Sequence, residues 1–374
     1  MRNASIWASV IMAGLLLGSA QASDIVVGQS APLTGTLSST GQAMALGVKI
    51  CIDATNAEGG IGGRKIRHVL RDDGYKTEET VRLTRELIEK EHAVALIGYA
   101  GTGNVAEVLR QGVLSDNHVP LIAPLTGGEP LRKPFNPYIF HIRAGYTDEI
   151  ARMVDQYANV GMTRFAVFYQ NDPMGEAGVK GLEAALAKHK LSLVGKAGYE
   201  KGTDEVSGAV NTLAELDPQV VVMVAVIRPA AAFVREYRHR KPMSQIFSMS
   251  ILNGTELHAL AGDGIATGVG ITQVVPSPYR PTIKMVRDYQ EAMQKYAPDA
   301  KPSYTSFEEF IGAKVLVEAL RRVKGDITGD SVRRALETIN GNVDGFRVSF
   351  SPDSHIGSNY VDVTLLRNDG RLGD

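Results

Sequence analysis

Two glycine-rich turns carry groups that could bind an anion. The first turn, residues 101–106 (GTGNVA), follows a strand-like apolar run and opens a helix pattern. The second turn, Thr126-Gly127-Gly128, follows the next strand-like segment. Exposed backbone N–H groups at the start of a helix, together with a threonine hydroxyl, form a binding site for a carboxylate or a similar anion. The alternative is that both turns need glycine for their geometry alone.

The motifs of the sequence predict neither a cofactor, nor a metal, nor a catalytic centre. The 101–106 turn matches G-x-G-x-x-A, but it follows the third strand of its series, whereas a dinucleotide fingerprint follows the first strand and has an acidic residue about 20 positions later. The eight histidines are scattered, without H-x-H or H-E-x-x-H spacing and without a cysteine partner. Neither a G-x-S-x-G elbow nor a G-x-x-x-x-G-K-[ST] loop occurs.

Two other chemistry-bearing groups have a structural explanation. Asp72 and Asp73 could pair as carboxylates, but adjacent residues of a strand point to opposite faces, which favours a turn at the strand end before Gly74. Cys51 is the only cysteine, and its apolar neighbours predict a buried helix face, where a free cysteine acts as a small hydrophobe. We therefore expect neither a disulfide nor a lipid anchor at Cys51.

Strand-like and helix-like segments alternate along the chain and would position these turns. The strand-like segments of the first series are residues 24–33, 65–71, 93–100 and 119–125, and those of a second series are 164–170, 191–199 and 220–226. Such alternation indicates parallel sheets covered by helices. Because it breaks near residues 138–146, we predict an α/β protein with two doubly wound lobes, with a (β/α)₈ barrel as the alternative. Further along, Ser306 and Glu309 have the spacing of a capping box that opens a helix.

Length and composition are those of a globular protein with a sizeable core. The chain has 374 residues, 44% of them hydrophobic, which suits about two domains of roughly 150 residues each. Charged residues make up 22%, are interspersed, and leave a formal net charge of −1. This balance predicts neither disorder nor a nucleic-acid partner.

The first 22 residues read as a secretory signal peptide. A positively charged start with Arg2 precedes an almost wholly apolar run, residues 6–18, and an A-x-A site ends at Ala22. The alternative, a retained anchor helix, is disfavoured because a membrane span needs about 20 apolar residues. We predict cleavage after Ala22 and export to a periplasm.

Short motifs along the chain, in order and at matching spacing, resemble those of the branched-chain amino-acid (leucine/isoleucine/valine) binding protein family of ABC importers. The motifs are Ile25-Val26-Val27-Gly28, Pro32-Leu33-Thr34-Gly35, Gly41 and Gly47, Asn56-Ala57-Glu58-Gly59-Gly60-Ile61-Gly62-Gly63, Asp72-Asp73, Ile97-Gly98, Ile122-Ala123-Pro124, Asp172-x-x-Gly175 and Tyr304-x-x-Phe307. The resemblance covers nearly the whole chain after the signal peptide.

This resemblance implies a type I periplasmic-binding fold, in which two lobes joined by a three-segment hinge close on a small ligand. Lobe 1 would comprise residues 24–143 with 273–345, and lobe 2 residues 144–272 with 346–374. The resemblance also implies a periplasmic monomer that binds a small molecule and delivers it to the permease of an ABC transporter.

The resemblance further implies where the ligand would bind. By position, the ligand carboxylate would meet Thr102 and the neighbouring backbone at Gly103, with Thr126 and Gly127 on the same lobe and Thr40 at the mouth. The second lobe would contribute three residues where amino-acid binders often supply aromatic side chains and an acidic partner for the ammonium: Met174, Ile227 and Ser250.

The second-lobe residues depart from the amino-acid-binding pattern. Ser250 cannot neutralise an ammonium, and burying an unpartnered charge is costly. Met174, Ile227 and Met249 make that wall more apolar. These departures count against an α-amino acid as the ligand. The candidates are an amino acid or a carboxylate with an apolar or aromatic tail, with an uncharged lipophile as the alternative. A sensory ligand-binding subunit and an exported α/β enzyme are the rival functions.

Overall fold

The computed structural model describes residues 23–373, and the first third of it builds one parallel sheet. Its elements are β1 (Ile25–Ala31), α1 (Ser38–Ala57), β2 (Ile66–Asp72), α2 (Thr77–Glu89), β3 (Ala95–Ile97), α3 (Thr102–Arg110), α4 (Val113–Asn117), β4 (Leu121–Ile122) and β5 (Ile139–Phe140). The strand order is β2-β1-β3-β4-β5, and every pair is parallel. Along β1, Ile25 and Val27 pack into one core cluster and Val26 into another, so this sheet is covered on both faces.

The second third of the chain repeats the pattern in a separate sheet. Its elements are α5 (Tyr146–Ala158), β6 (Phe165–Gln170), α6 (Pro173–Lys188), β7 (Leu193–Tyr199), α7 (Ser207–Leu216), β8 (Val220–Val224), α8 (Ile227–Arg240), β9 (Gln245–Ser248), α9 (Gly254–Ala261) and β10 (Gly270–Gln273). Phe165 and Val167 pack on one face and Ala166 and Phe168 on the other. Two open sheets confirm the two-lobe prediction and exclude the single barrel.

The last third contributes to both lobes. Its elements are α10 (Lys284–Tyr296), α11 (Tyr304–Arg322), α12 (Gly329–Glu337), β11 (Asn340–Val343), β12 (Phe346–Ser349), β13 (Asp362–Leu366) and β14 (Leu372–Gly373). Helices α10 to α12 pack in the core of the first sheet, whereas β13 pairs antiparallel with β10 and completes the second sheet, whose order is β14-β13-β10-β9-β8-β6-β7. The chain thus passes between the lobes three times: after β5, after β10 and after β12.

The strand β12 lies with the first lobe, on the other side of the boundary expected from the sequence. It pairs with β11 as an antiparallel hairpin, and Phe346, Val348 and Phe350 are buried beside Phe140 in the first core. The expected division at residue 345 assigns these side chains to lobe 2, but the hairpin and its apolar contacts hold them on lobe 1. The remaining bounds of the predicted division stay predictions.

The capping box expected at Ser306 is wrong by one helical turn. Helix α11 begins at Tyr304, and Ser303 is the residue that caps it, because its hydroxyl accepts the backbone N–H of Ser306 at 3.1 Å. Glu309 therefore lies within the helix and is buried. The proposed signal peptide lies outside the described residues, and among residues 23–373 no helix has the length and apolarity of a membrane span.

Candidate functional site

A small cavity lies where the two lobes meet. Residues from both lobes line it: Leu37, Thr40, Tyr75, Ala100, Gly101 and Leu125 from the first, and Tyr146, Met174, Val226 and Ile251 from the second. Its volume is about 10 Å³, about enough for one water molecule. The lobes are therefore closed on one another in this structure, and a larger molecule enters only when they part.

Three buried hydroxyl groups meet beside this cavity. The Thr102 and Thr126 hydroxyl oxygens are 2.7 Å apart. The Tyr146 hydroxyl lies near both: burial raises the pKa of Tyr146, and the two threonine hydroxyls act in the opposite direction. Thr126 also accepts the backbone N–H of Gly128 at 3.2 Å. Thr102 is the first residue of α3, where backbone N–H groups have no partner within the helix. The arrangement offers hydroxyl donors and a helix start to an anionic group.

The glycines of both turns are needed for close packing as well. Gly101 has a φ of +91°, and a Cβ there would lie 2.7 Å from Cε2 of Tyr75. At Gly128 a Cβ would lie 2.5 Å from Cγ2 of Thr102, and at Gly127 it would lie 2.6 Å from Cδ1 of Tyr146. The two interpretations of these turns are thus compatible, because the glycines allow the contacts that bring the hydroxyls together.

Asp72 and Asp73 form the expected strand-end turn, and this turn also presents Tyr75 to the cavity. Asp72 accepts the backbone N–H groups of Leu33 and Gly74, each at 2.9 Å. Burial alone would raise the pKa of Asp72, but these hydrogen bonds lower it overall. Asp73 accepts the Tyr75 N–H at 2.9 Å, which holds Tyr75 at a φ of +63°. The two carboxylates thus stabilise the turn, and the Tyr75 side chain faces the second lobe.

The structure brings most, but not all, of the expected ligand residues to the cavity. Thr40 and Met174 line it, the Thr102 and Thr126 hydroxyls lie beside it, and Gly127 accepts the backbone N–H of Tyr146 at 2.8 Å. Met174 lies at the start of α6, where the Asp172 carboxylate caps the helix. Their role in binding stays a prediction.

Three expected residues face elsewhere. Gly103 lies against the Pro173 ring across the cleft, since a Cβ there would be 3.3 Å from Cδ of Pro173. Ile227 lies in the core of the second lobe, and its neighbour Val226 lines the cavity instead. Ser250 lies in a buried group of charged side chains.

That group, the hinge charge cluster (Arg143, Glu149, Ser250, Thr272 and Glu308), lies where the chain crosses between the lobes. The Arg143 guanidinium donates to the Ser250 hydroxyl and to the Glu149 carboxylate at 3.2 Å, and it lies 3.5 Å from the Glu308 carboxylate. The other Glu149 oxygen accepts the Ser250 N–H at 2.8 Å and the Thr272 hydroxyl at 2.5 Å. Both oxygens of Glu149 are thus occupied within the protein.

Comparison with known proteins identifies the family. Residues 24–371 match the family model described as periplasmic binding protein. This chain belongs to the periplasmic binding protein family. Members bind small molecules and typically work with the permease of an ABC transporter. The resemblance inferred from the sequence motifs is confirmed, and so is the type I fold that it implied.

Individual relatives span almost the whole chain. A substrate-binding periplasmic protein from Ralstonia solanacearum is 35% identical, covers 93% of this chain and 99% of its own, and superposes with a TM-score of 0.89. A Leu/Ile/Val-binding protein homolog 7 from Brucella melitensis is 25% identical over 88% of this chain and 85% of its own length. An ABC-transporter solute-binding protein from R. palustris in complex with benzoate is 19% identical, covers 94% and 95%, and has a TM-score of 0.82, which shows the shared fold.

Within this periplasmic binding protein, the sequence reasoning missed the two tyrosines of the cavity. Tyr75 follows the Asp72-Asp73-Gly74 turn at the carboxyl end of a strand, which is where open α/β sheets place ligands. The rule that ligands lie at strand ends was applied to the two glycine turns, and applying it to β2 as well would have identified Tyr75. Tyr146 begins α5 directly after the first lobe crossing, and no motif in the sequence marks it.

Glu308 gives the hinge charge cluster a pH dependence. Burial raises the pKa of Glu308 to about 7, with the Arg143 charge acting in the opposite direction. A raised carboxyl pKa stabilises the fold below pH 4.5, the value for an unperturbed glutamate, and this contribution is lost as pH rises through about 7. We expect the free energy of unfolding of the wild type, relative to Glu308→Gln, to fall by on the order of 2–3 kcal/mol between pH 4.5 and 7.5.

Urea unfolding of both proteins across this pH range measures the difference. Burial also lowers the pKa of His68 and His355 to about 4, but both proteins share that contribution, so it cancels. Burial and the Glu308 charge raise the pKa of the neighbouring Glu309, so the difference between the two proteins includes the coupling of these two carboxyl groups. The exposed Glu58→Gln is the matched control, whose curve should run parallel to the wild type. A parallel curve for Glu308→Gln as well would mean that Glu308 titrates as an ordinary carboxyl group.

Proposed function

We propose that this protein captures a small carboxylate with an apolar or aromatic tail between its lobes and delivers it to an ABC permease. The observation that carries the proposal is the meeting of the Thr102, Thr126 and Tyr146 hydroxyls at the start of α3, beside an otherwise apolar cavity. Hydroxyls can donate to a carboxylate, and hydrogen bonds to a charged partner are stronger than neutral ones. The dipole of α3 favours negative charge at the same point.

The apolar lining supports a hydrocarbon tail. Leu37, Leu125, Met174, Val226 and Ile251 surround the cavity, and the Tyr75 and Tyr146 rings complete the wall. An aromatic or branched aliphatic tail buried there gains about 25 cal/mol for each Å² of apolar surface removed from water. The benzoate complex of the structural neighbour from R. palustris is a precedent for such a ligand on this fold.

The surroundings of Ser250 support a ligand without an ammonium group. Ser250 donates its backbone N–H to the Glu149 carboxylate. Both oxygens of this carboxylate already accept hydrogen bonds, which come from Arg143, Ser250 and Thr272. The residues that line the cavity carry no acidic side chain. A buried ammonium would therefore lack a partner, which is costly.

An α-amino acid is the second candidate. The name of the Brucella melitensis relative, a Leu/Ile/Val-binding protein homolog, favours it. It requires an ammonium partner that becomes available when the lobes part, and Glu149 or Glu308 would then have to exchange Arg143 for the ligand. The contacts of Arg143 with both Glu149 and Glu308 argue against that exchange, because they would have to break.

The wider role follows from the family. We propose that the protein is a monomer of the periplasm, exported by a signal peptide that is cleaved after Ala22, and that it has no catalytic activity of its own. Closure is the working step, because a ligand that contacts both lobes stabilises the closed state by its differential affinity. N-terminal sequencing and native mass spectrometry of the periplasmic protein test cleavage and oligomeric state together.

Matched ligands test the proposed class. After unfolding and refolding to remove any co-purified molecule, thermal unfolding is followed with benzoate against benzamide and with 4-methylpentanoate against leucine. We expect benzoate and 4-methylpentanoate to raise the Tm, because each offers a carboxylate and an apolar tail. Stabilisation by leucine alone would establish the amino-acid alternative, and equal stabilisation by benzamide would establish an uncharged lipophile.

A further inference from the structure

Lys201 connects the two lobes at the mouth of the cleft. It follows β7 of the second lobe, yet its Nζ donates to the Asn104 side-chain oxygen of the first lobe at 2.7 Å. The same Nζ lies 4.1 Å from the centre of the Tyr75 ring, also of the first lobe. An ammonium over an aromatic face is attracted by the ring quadrupole, and more strongly when water is excluded.

Tyr75 is the side chain that separates the cavity from the outside. It lines the inner cavity and also a groove of about 620 Å³ at the cleft mouth, which Lys201 and Arg228 line as well. The Gln170 amide of the second lobe donates to its hydroxyl at 3.2 Å. Tyr75 is thus held by second-lobe groups at its ring face and at its hydroxyl.

The receptor for Lys201 is positioned in advance on the first lobe. The Asn104 amide donates to the Thr80 hydroxyl at 2.9 Å, and Thr80 in turn donates to the Asp73 carboxylate at 2.9 Å. This chain of bonds orients the Asn104 oxygen toward the cleft. Lys201 therefore meets an acceptor that is already fixed, so the Asn104 side chain loses little conformational freedom when the lobes close.

Buried carboxylates on both lobes face the Lys201 ammonium. Asp73 on the first lobe and Asp172 on the second are both largely buried, and burial raises the pKa of each. Burial lowers the pKa of Lys201, while the charges of Asp172, Asp73 and Glu78 act to keep it protonated.

We propose that Lys201 is a latch: by contacting Asn104 and Tyr75 it stabilises the closed state and so slows release of the bound solute. It lies outside the inner cavity, so it acts on affinity through closure rather than by contact with the solute. The inference rests on the proposed function only in that closure traps a solute. The closed-state contacts themselves are properties of the chain.

Distances between the lobes test the latch directly. Spin labels at Gln111→Cys on the first lobe and Lys180→Cys on the second, both exposed, report the separation of the lobes by electron–electron double resonance. Cys51 is buried and burial raises the pKa of its thiol to about 12, so it does not compete for the label. The variant is Lys201→Met, which keeps the length of the side chain but lacks the charge. The control is Lys196→Met, an exposed lysine whose ion pair with Glu183 stays within the second lobe.

In protein without added solute, we expect a short-distance population in the wild type and in Lys196→Met that Lys201→Met loses. Lys201→Arg, which keeps the charge and the contact with Tyr75, should restore it. With benzoate added, Lys201→Met should release it about tenfold faster than the wild type. An unchanged distance distribution in Lys201→Met, or a wild type without a short-distance population, overturns the latch. A wild type that closes but does not bind benzoate overturns the ligand class and leaves the latch standing.

Discussion

Replacing Arg143 by methionine should destabilise the protein by about 3–5 kcal/mol, the range measured when one partner of a buried ion pair is removed. Arg143 and Glu149 are fully buried, and Glu308 is 4% exposed at its side chain. Without the guanidinium, the Glu149 carboxylate remains in the interior of the hinge without the cation that donates to it. Urea unfolding of Arg143→Met against the wild type at pH 7.5 measures the loss.

A double variant separates charge from packing. Adding Glu149→Gln to Arg143→Met removes the carboxylate charge left without Arg143 but keeps an oxygen to accept the Ser250 N–H or the Thr272 hydroxyl. We expect the double variant to be more stable than Arg143→Met alone. Arg67→Met breaks an exposed ion pair with Glu91 and is the control, for which we expect little change. A double variant less stable than Arg143→Met would mean that packing, not charge, dominates at this position.

The fold could be predicted because its signals are local. Continuous apolar runs such as residues 220–226 are typical of strands covered on both faces, and β8 (Val220–Val224) is buried throughout. The break in the alternation near residues 138–146 coincides with the first crossing between the lobes. The division at residue 345 follows only from the family resemblance, and it separates β12 from β11, the strand with which it pairs on lobe 1.

The first-lobe half of the site could also be predicted, because strand ends of a parallel sheet meet at one edge. Thr102 and Thr126 follow β3 and β4, which are neighbours in the sheet, and their hydroxyls touch. Predicting the second-lobe half of the site required the position of each side chain to be correct to within one residue. Val226 and Ile227 are adjacent and point to opposite sides, so one residue separates a cavity wall from the core.

The hinge charge cluster had no signal that the sequence alone could supply. Arg143 and Ser250 are 107 positions apart, and Glu149 reaches Thr272 over 123 positions. Only the crossing of the chain between two lobes brings them together. The same is true of Lys201, whose acceptor Asn104 is 97 positions away. Long-range pairs of polar side chains depend on the assembled fold, not on a local pattern of residue types.

Thr102→Val should weaken benzoate binding about 10- to 100-fold. A hydrogen bond to a charged group contributes about 1.5–3 kcal/mol, and valine keeps the shape of threonine while lacking its hydroxyl. The fold should tolerate the change, because the Thr126 hydroxyl keeps its bond to the Gly128 N–H. Isothermal titration with benzoate and urea unfolding of the same preparations measure affinity and stability separately.

The control for this prediction is Thr212→Val on α7, whose hydroxyl bonds only to Gly208 within its own helix among the described contacts and is remote from the cleft. It should bind benzoate as the wild type does. If Thr102→Val also binds benzoate with unchanged affinity, the hydroxyl group at the start of α3 is not the carboxylate site. If Thr102→Val loses affinity for benzoate but not for benzamide, the lost affinity is due to the charge of the carboxylate. That outcome follows from the geometry, since the hydroxyls of Thr102, Thr126 and Tyr146 converge where the helix dipole of α3 favours an anion.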